Sequence, residues 1–225
     1  VQYQWEVLLI DDGSRDQSLS VMRQLRRKDP RVAFISLSRN FGKENAMLAG
    51  FDHASGDCVI ILDADLQHPP ALIPDMLHLW EEGAQDVYAR RDIARESWLR
   101  RRLSRLYYSL LNRSTRFDVL ENVGDFRLLD RRCILALRQL RESQRYTKGM
   151  YVWIGFKKQE ISYHEQKRTA GQSSFNFRRL ADLAIDGLTS YTTAPLRLST
   201  LIGLLSALLA ILYMVYVFIK TLVVG

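Results

Sequence analysis

Cysteine is nearly absent from this chain. Its 225 residues hold two, Cys58 and Cys133, 75 positions apart and outside any CxxC pair. That excludes a disulfide scaffold and a cysteine-built zinc site, and it suits a reducing compartment. No GxGxxG is present, and Gly42-Lys43 lacks the other residues of a P-loop, so neither phosphate-binding fingerprint applies. Of four histidines only His68 lies near acidic residues, and its plain reading is a polar residue at the start of a helix. No Ser-His-Asp or Cys-His set can be assembled, which argues against hydrolysis by a nucleophilic side chain. There is no internal repeat and no low-complexity segment. The chain opens on Val1 with no signal peptide or initiator Met, and we expect an excerpt of a longer protein.

What is present is unevenly spread. Lys and Arg total 32 against 25 acids, and 47% of residues are apolar, so the chain can bury a core. Residues 90–116 hold nine arginines against Asp92 and Glu96, matching the net +7 of the whole chain. Leu99, Leu103, Leu106 and Leu110 recur there at helical spacing beside Trp98, Tyr107 and Tyr108. A basic amphipathic helix over about 98–111 reads as a membrane-surface element, the plain alternative being a solvated helix face. No recognition motif accompanies the arginines, so nucleic acid is not expected as a partner. Residues 201–219 carry no charge over 19 positions. As a helix they span roughly 28 Å, close to a bilayer core of ~30 Å. Arg178, Arg179 and Arg197 precede the run and place the preceding domain in the cytoplasm. The expected organisation is a catalytic domain over 1–195 and a transmembrane helix segment over 196–225.

Short apolar runs at 6–10, 32–37 and 58–62 alternate with helical stretches at about 14–28, 43–54 and 70–82. This βαβαβα order predicts an α/β domain with a mostly parallel sheet. Further on, a strand is expected at 125–129, a helix at 131–141, a last strand at 159–164 and a helix at about 179–191, with a polar loop at 168–177 between the last two. Ligands of such sheets sit at the carboxyl ends of the strands. Three polar clusters fall there: Asp11-Asp12, Ser38-Arg39-Asn40 and Asp63-Ala64-Asp65. Asp63 and Asp65 project to one side of an extended segment and can grip one hard cation, Mg²⁺ or Mn²⁺, with Gln67 adding an amide oxygen. A surface turn would use the same residues without a metal. Asp11 and Asp12 suit a base or ribose, or equally a helix-capping turn. Lys43 and the free N–H groups beside it suit an anion. Cys58, inside an apolar strand, is expected in the core.

The segments LLIDDGSRDQS, SRNFGKENAMLAG, DADLQHPP, NVGDFRLLDR and RTAGQSSFNF occur in the order found in family 2 glycosyltransferases. The chain most resembles the polyprenyl-phosphate sugar transferases, that is, bactoprenol-phosphate glucosyltransferases and dolichol-phosphate mannose synthases. The resemblance covers nearly the whole chain. It implies a GT-A fold, Rossmann-like, with a C-terminal transmembrane helix. It implies inverting, metal-dependent transfer of a hexose, glucose from UDP-glucose above all, to undecaprenyl phosphate at the cytoplasmic face of the bacterial inner membrane, the lipid-linked sugar serving cell-envelope or O-antigen glycosylation. Asp11, Asp12, Arg39 and Lys43 would line the nucleotide sugar, with Asp63 and, from the RxxGxS loop, Arg168 and Ser173. Asp63, Asp65 and Gln67 would hold the cation. Asp125 and Arg127 would stand with Asp65 at the reaction centre. Arg91, Arg100 and Ser104 would bind the lipid phosphate. Homo-oligomerisation is left open. Two departures stand out: the family's opening strand, which belongs in the middle of the sheet, is missing, and a Lys is replaced by Ser174. Relatives also have two membrane helices, so we expect the C-terminus to be cut as well. Two other readings remain, a membrane-anchored nucleotide-sugar scaffold and a polysaccharide synthase, although the Q-x-x-R-W of the latter has no match here.

Overall fold

The computed structural model describes residues 3–65, 67–91, 123–142, 145–163 and 194–224, and helical backbone at positions 102 and 109. The rest of the basic helix expected over 98–111, the loop at 168–177 and the helix at 179–191 lie outside the described residues.

Strands β1 (Val7–Asp11) and β2 (Val32–Ser36) pair in parallel, Val7 opposite Val32 and Asp11 opposite Ser36, with helix α1 (Ser18–Lys28) connecting them. Helix α2 (Lys43–His53) leads to β3 (Cys58–Ile61). A 3-10 turn at Pro70–Leu72 starts α3 (Ile73–Glu81), and β4 (Asp86–Arg91) follows. Strand β5 (Val123–Asp130) continues into α4 (Arg131–Gln139), and α5 (Thr147–Trp153) precedes β6 (Lys158–Tyr163). The last element is α6 (Ala194–Val224).

The α/β alternation is as the sequence predicts, but the sheet is mixed. β3, β4 and β6 run one way, and β5 lies between β3 and β4 in the opposite sense, in the order β3-β5-β4-β6. Among the described residues β1-β2 forms a separate two-stranded sheet. The two parts are tied by the Glu6 carboxylate, which accepts the Ser55 N–H at 2.8 Å and its hydroxyl at 2.7 Å. Helix α2 adds a second tie, packing against both β1 and α4.

β5 is buried on both faces because its apolar side chains alternate between two cores. Phe126 and Leu128 pack with Met76, Val87, Ala89 and Tyr163. Leu129 packs on the other face with Phe51, Ile134, Leu137 and Tyr151. Asp130 caps α4 by accepting the Arg132 N–H at 2.9 Å. Cys58 is half-buried and Cys133 buried; burial pushes their thiols up to about 11 and about 12, so neither is a reactive thiolate.

α6 extends the expected membrane run. Its residues Ser199–Val223 are long and apolar enough to cross a bilayer, and the side chains from Leu201 to Val223 are all exposed. Twenty-five helical residues rise about 37 Å.

Candidate active site

The site is built around the first turn of α2, which is held at both ends. At the N-terminal end Asp12 spends both carboxylate oxygens on backbone, accepting Phe41 N–H at 2.7 Å and Gly42 N–H at 2.9 Å. At the far end Arg138 Nε donates to Phe51 O and Arg131 Nη1 to Ala54 O, each at 2.6 Å. Anions at a helix start and cations at its end are the favoured signs. The turn after β1 touches the loop before α2. Gly13 has φ +71°, and a Cβ there would lie 2.4 Å from Arg39 C, so only glycine fits.

So anchored, α2 presents Lys43. Its ammonium lies 2.7 Å from Asp63 Oδ1 and 2.8 Å from Asp125 Oδ2, joining the segment after β3 to β5. Burial works to lower the Lys43 pKa, but Asp125 and Asp63 together outweigh it and hold the ammonium above its ordinary value. Burial likewise opposes ionisation of Asp125, and Lys43 outweighs it, leaving that carboxyl below the usual range. The next residue, Glu44, accepts the Thr147 N–H at 3.0 Å and so fastens α5 to α2. Burial first, then the Asp125 charge, raises Glu44 to about 7. Lys148 on α5 feels both Asp125 and Glu44, but burial dominates and lowers its pKa. Lys43, Glu44, Asp63, Asp125 and Lys148 therefore form one alternating charge cluster at strand ends.

Residues 2–137 match glycosyl transferase family 2. The chain belongs to that family. It is 41% identical over all 225 residues to the putative glycosyltransferase CsbB of Bacillus subtilis, covering 68% of that protein. It is 42% identical to the bactoprenol glucosyl transferase of Shigella phage SfV over 99% of this chain and 73% of the relative. An uncharacterised glycosyltransferase of Synechocystis, sll0501, is 36% identical over 98% of this chain and 70% of its own length. The protein is a glycosyltransferase.

Against the residues expected of a family 2 enzyme, the structure brings Lys43, Asp63 and Asp125 together and gives others supporting places. Asp11, 3% exposed, accepts Ser14 N–H at 3.0 Å and the Ser36 hydroxyl at 2.9 Å, so it locks the turn and the β1-β2 pair. Asp12 is the anchor of the α2 loop described above. Neither is an N-cap of α1 or α2, which are capped by Gln17 and Gly42; both carboxylates hold loop backbone after β1 and before α2. Arg39 is exposed and stacks on Phe41, its guanidinium 4.6 Å from the ring centroid. Arg127, expected at the reaction centre, is 2% exposed, pairs with the buried Asp86 at 3.0 Å and lies 3.6 Å over the Tyr151 ring. Its contacts brace β5 against β4 and α5 two residues along the strand from Asp125.

Asp65 accepts the Gln67 N–H at 3.2 Å in the turn after β3. His68 is not a polar helix-start residue. It is 8% exposed, stacks on Phe126 at 4.9 Å between centroids, and its Nδ1 accepts the Asp63 N–H at 3.3 Å. Arg91 ends β4 opposite Tyr163; Arg100, Ser104, Arg168 and Ser173 lie outside the described residues. Among the described residues no three His, Cys, Asp or Glu side chains converge on a metal position. Asp63, Asp65 and Gln67 nonetheless fit a hard cation that takes its other ligands from a diphosphate and water. Asp63 already accepts one cation, the Lys43 ammonium. The sequence reading missed α5 altogether, and with it Thr147 and Lys148. Seven residues containing a glycine, a tyrosine and a tryptophan show no helical periodicity, and Glu44 beside Lys43 reads as an ordinary surface acid.

Proposed function

We propose that this protein transfers a hexose, glucose from UDP-glucose as the first choice, to a polyprenyl phosphate with inversion at the anomeric carbon. The observation that supports it best is Lys43 bridging Asp63 and Asp125, which puts a cation and two carboxylates at one strand-end position. Relatives named bactoprenol glucosyl transferase match over 99% of this chain. In the reaction an oxygen of the acceptor phosphate bonds to the anomeric carbon, and the bond to the nucleotide diphosphate breaks, its electron pair leaving on that diphosphate. The acceptor has a second pKa of about 6 and is largely ionised at pH 7. No strong base is then required, and Asp125 serves to orient the sugar and the incoming phosphate. Lys43 offers positive charge where the diphosphate develops its own negative charge. Asp63 and Asp65, with Gln67, would hold Mg²⁺ or Mn²⁺, which when bound supplies Lewis-acid stabilisation to the leaving group.

Arg91, Arg100 and Ser104 are assigned to the lipid phosphate, because the guanidinium fork binds two oxygens at once. Asp11, Asp12, Arg39, Arg168 and Ser173, with Lys43 and Asp63, are assigned to the donor. The arginine-rich 90–116 segment and α6 would hold the domain at the cytoplasmic membrane face, where anionic headgroups attract basic side chains. The test uses the full-length protein in membranes with undecaprenyl phosphate, Mg²⁺ and radiolabelled UDP-glucose or GDP-mannose. Label entering the extracted lipid from one donor, lost on chelation and restored by Mg²⁺ or Mn²⁺, is the expected result. No lipid label from either donor contradicts the reading.

A further inference from the structure

The turn after β3 carries Asp63, Asp65 and Gln67, and one ring closes it at its base. His68 Nδ1 accepts the Asp63 N–H at 3.3 Å, five residues back along the chain. A ring nitrogen that accepts a backbone N–H carries no proton, so this imidazole is neutral with its hydrogen on Nε2. The ring is itself clamped. It stacks on Phe126 at 4.9 Å between centroids and 14° between planes. Tyr163 crosses both rings steeply, its centroid 6.1 Å from His68 and 5.8 Å from Phe126. His68 and Tyr163 are buried and Phe126 is sealed from solvent. Pro69 follows His68 and restricts its backbone to extended conformations, and Pro70 then starts the 3-10 turn. The turn is thereby fastened to β5 and β6.

A phenylalanine would fill the same aromatic stack, so packing alone does not call for a nitrogen here. Taking a polar ring nitrogen out of water has a cost that its hydrogen bond has to offset. That bond goes to the backbone of Asp63 and leaves both carboxylate oxygens for other partners. In the structure they hold Lys43, which also holds Asp125, and Asp125 is the chain neighbour of Phe126. A closed circuit results. Asp63 is tied to β5 by its side chain through Lys43 and by its backbone through His68. A divalent cation on the Asp63 carboxylate competes with the Lys43 ammonium but not with the His68 bond. Resting on the cation reading above, we infer that His68 is a positioning residue for the divalent cation. It fixes the Asp63 backbone to β5, so that the carboxylate keeps its place whether it binds Lys43 or the metal. His68 is not itself a ligand, because its Nδ1 is engaged and its Nε2 carries the proton.

The test titrates Mn²⁺ into the full-length protein with UDP present, follows free Mn²⁺ by electron paramagnetic resonance, and records Tm for each variant. His68→Phe keeps the stack and loses the acceptor. It is expected to weaken Mn²⁺ about tenfold, the scale of losing an outer-shell partner, with Tm kept or raised. His68→Asn loses the stack and keeps an acceptor, because the asparagine Oδ1 is as many bonds from the backbone as Nδ1. Its Mn²⁺ affinity should stay within about threefold of wild type while Tm falls. Metal binding then follows the acceptor and stability follows the ring, an opposition that a merely structural residue does not produce. Wild-type Mn²⁺ affinity in His68→Phe overturns the assignment, and so does a loss in both variants that tracks Tm. If His68→Phe does not fold, His68→Asn decides alone: retained affinity supports the assignment, and a loss of about tenfold overturns it. A wild type that binds no Mn²⁺ with UDP contradicts the cation reading, and this assignment with it, before any variant is compared.

Discussion

At the scale of single residues, the site is governed by how neighbouring charges share partners. Lys43 holds two carboxylates with one ammonium, and Glu44 beside it has no cation of its own at bonding distance among the described residues. The groups facing Glu44 are Asp125 from β5, Lys148 from α5 and its own neighbour Lys43. Its carboxyl is raised from 4.5 to about 7 in the folded protein. The folded state then binds more protons than the unfolded one across that window. Stability contributed by protonated Glu44 is full below pH 4.5 and is lost as pH rises toward 7, by up to about 3 kcal/mol. Glutamine keeps an acceptor for the Thr147 N–H and does not titrate. Thermal unfolding should therefore show Glu44→Gln gaining on wild type between pH 5 and pH 8; parallel pH profiles would count against a half-buried, charge-strained Glu44.

At the scale of elements, α2 is the part that makes the site. The Asp12 anchor, the Gly13 turn and the two arginines on its last carbonyls fix the one helix that carries Lys43 and Glu44. Asp12→Ala should lower stability by about 1 kcal/mol, as loss of a helix-start carboxylate does, and reduce transfer by loosening Lys43. A Tm equal to wild type would mean the Asp12 bonds do not anchor the loop. Much of this frame was legible in the sequence. Apolar runs bounded by Asp-Gly or Ser-Gly gave β1, β3 and α2 to within a residue or two, because local turn chemistry sets those ends. Asp63 and Asp125, singled out by their motifs, do meet at Lys43. What local pattern could not show was sheet direction, since the antiparallel placement of β5 is a tertiary choice. Nor could it show that Arg127 would turn inward to Asp86, or that Thr147, distant in sequence, would meet Glu44.

At the scale of the whole molecule, a polar catalytic domain is joined to one exposed apolar helix and contains one arginine-rich segment. These two features call for different membrane interactions. Full-length protein should stay with membranes through alkaline carbonate. A chain ending before Ala194 should be retained only at low salt and be released as ionic strength rises, because charge attraction to headgroups is screened. Carbonate-resistant retention of the shortened chain would place the anchor elsewhere. The central claim is that the Lys43–Asp63–Asp125 position performs sugar transfer to a lipid phosphate. The most direct measurement compares wild type with Asp125→Asn in the lipid-labelling assay, with donor affinity measured on both. The account predicts a loss of lipid label of about a hundred- to a thousandfold, on the scale of removing one preorganised group at a reaction centre, with donor still bound. Lipid labelling by Asp125→Asn at the wild-type rate would contradict it.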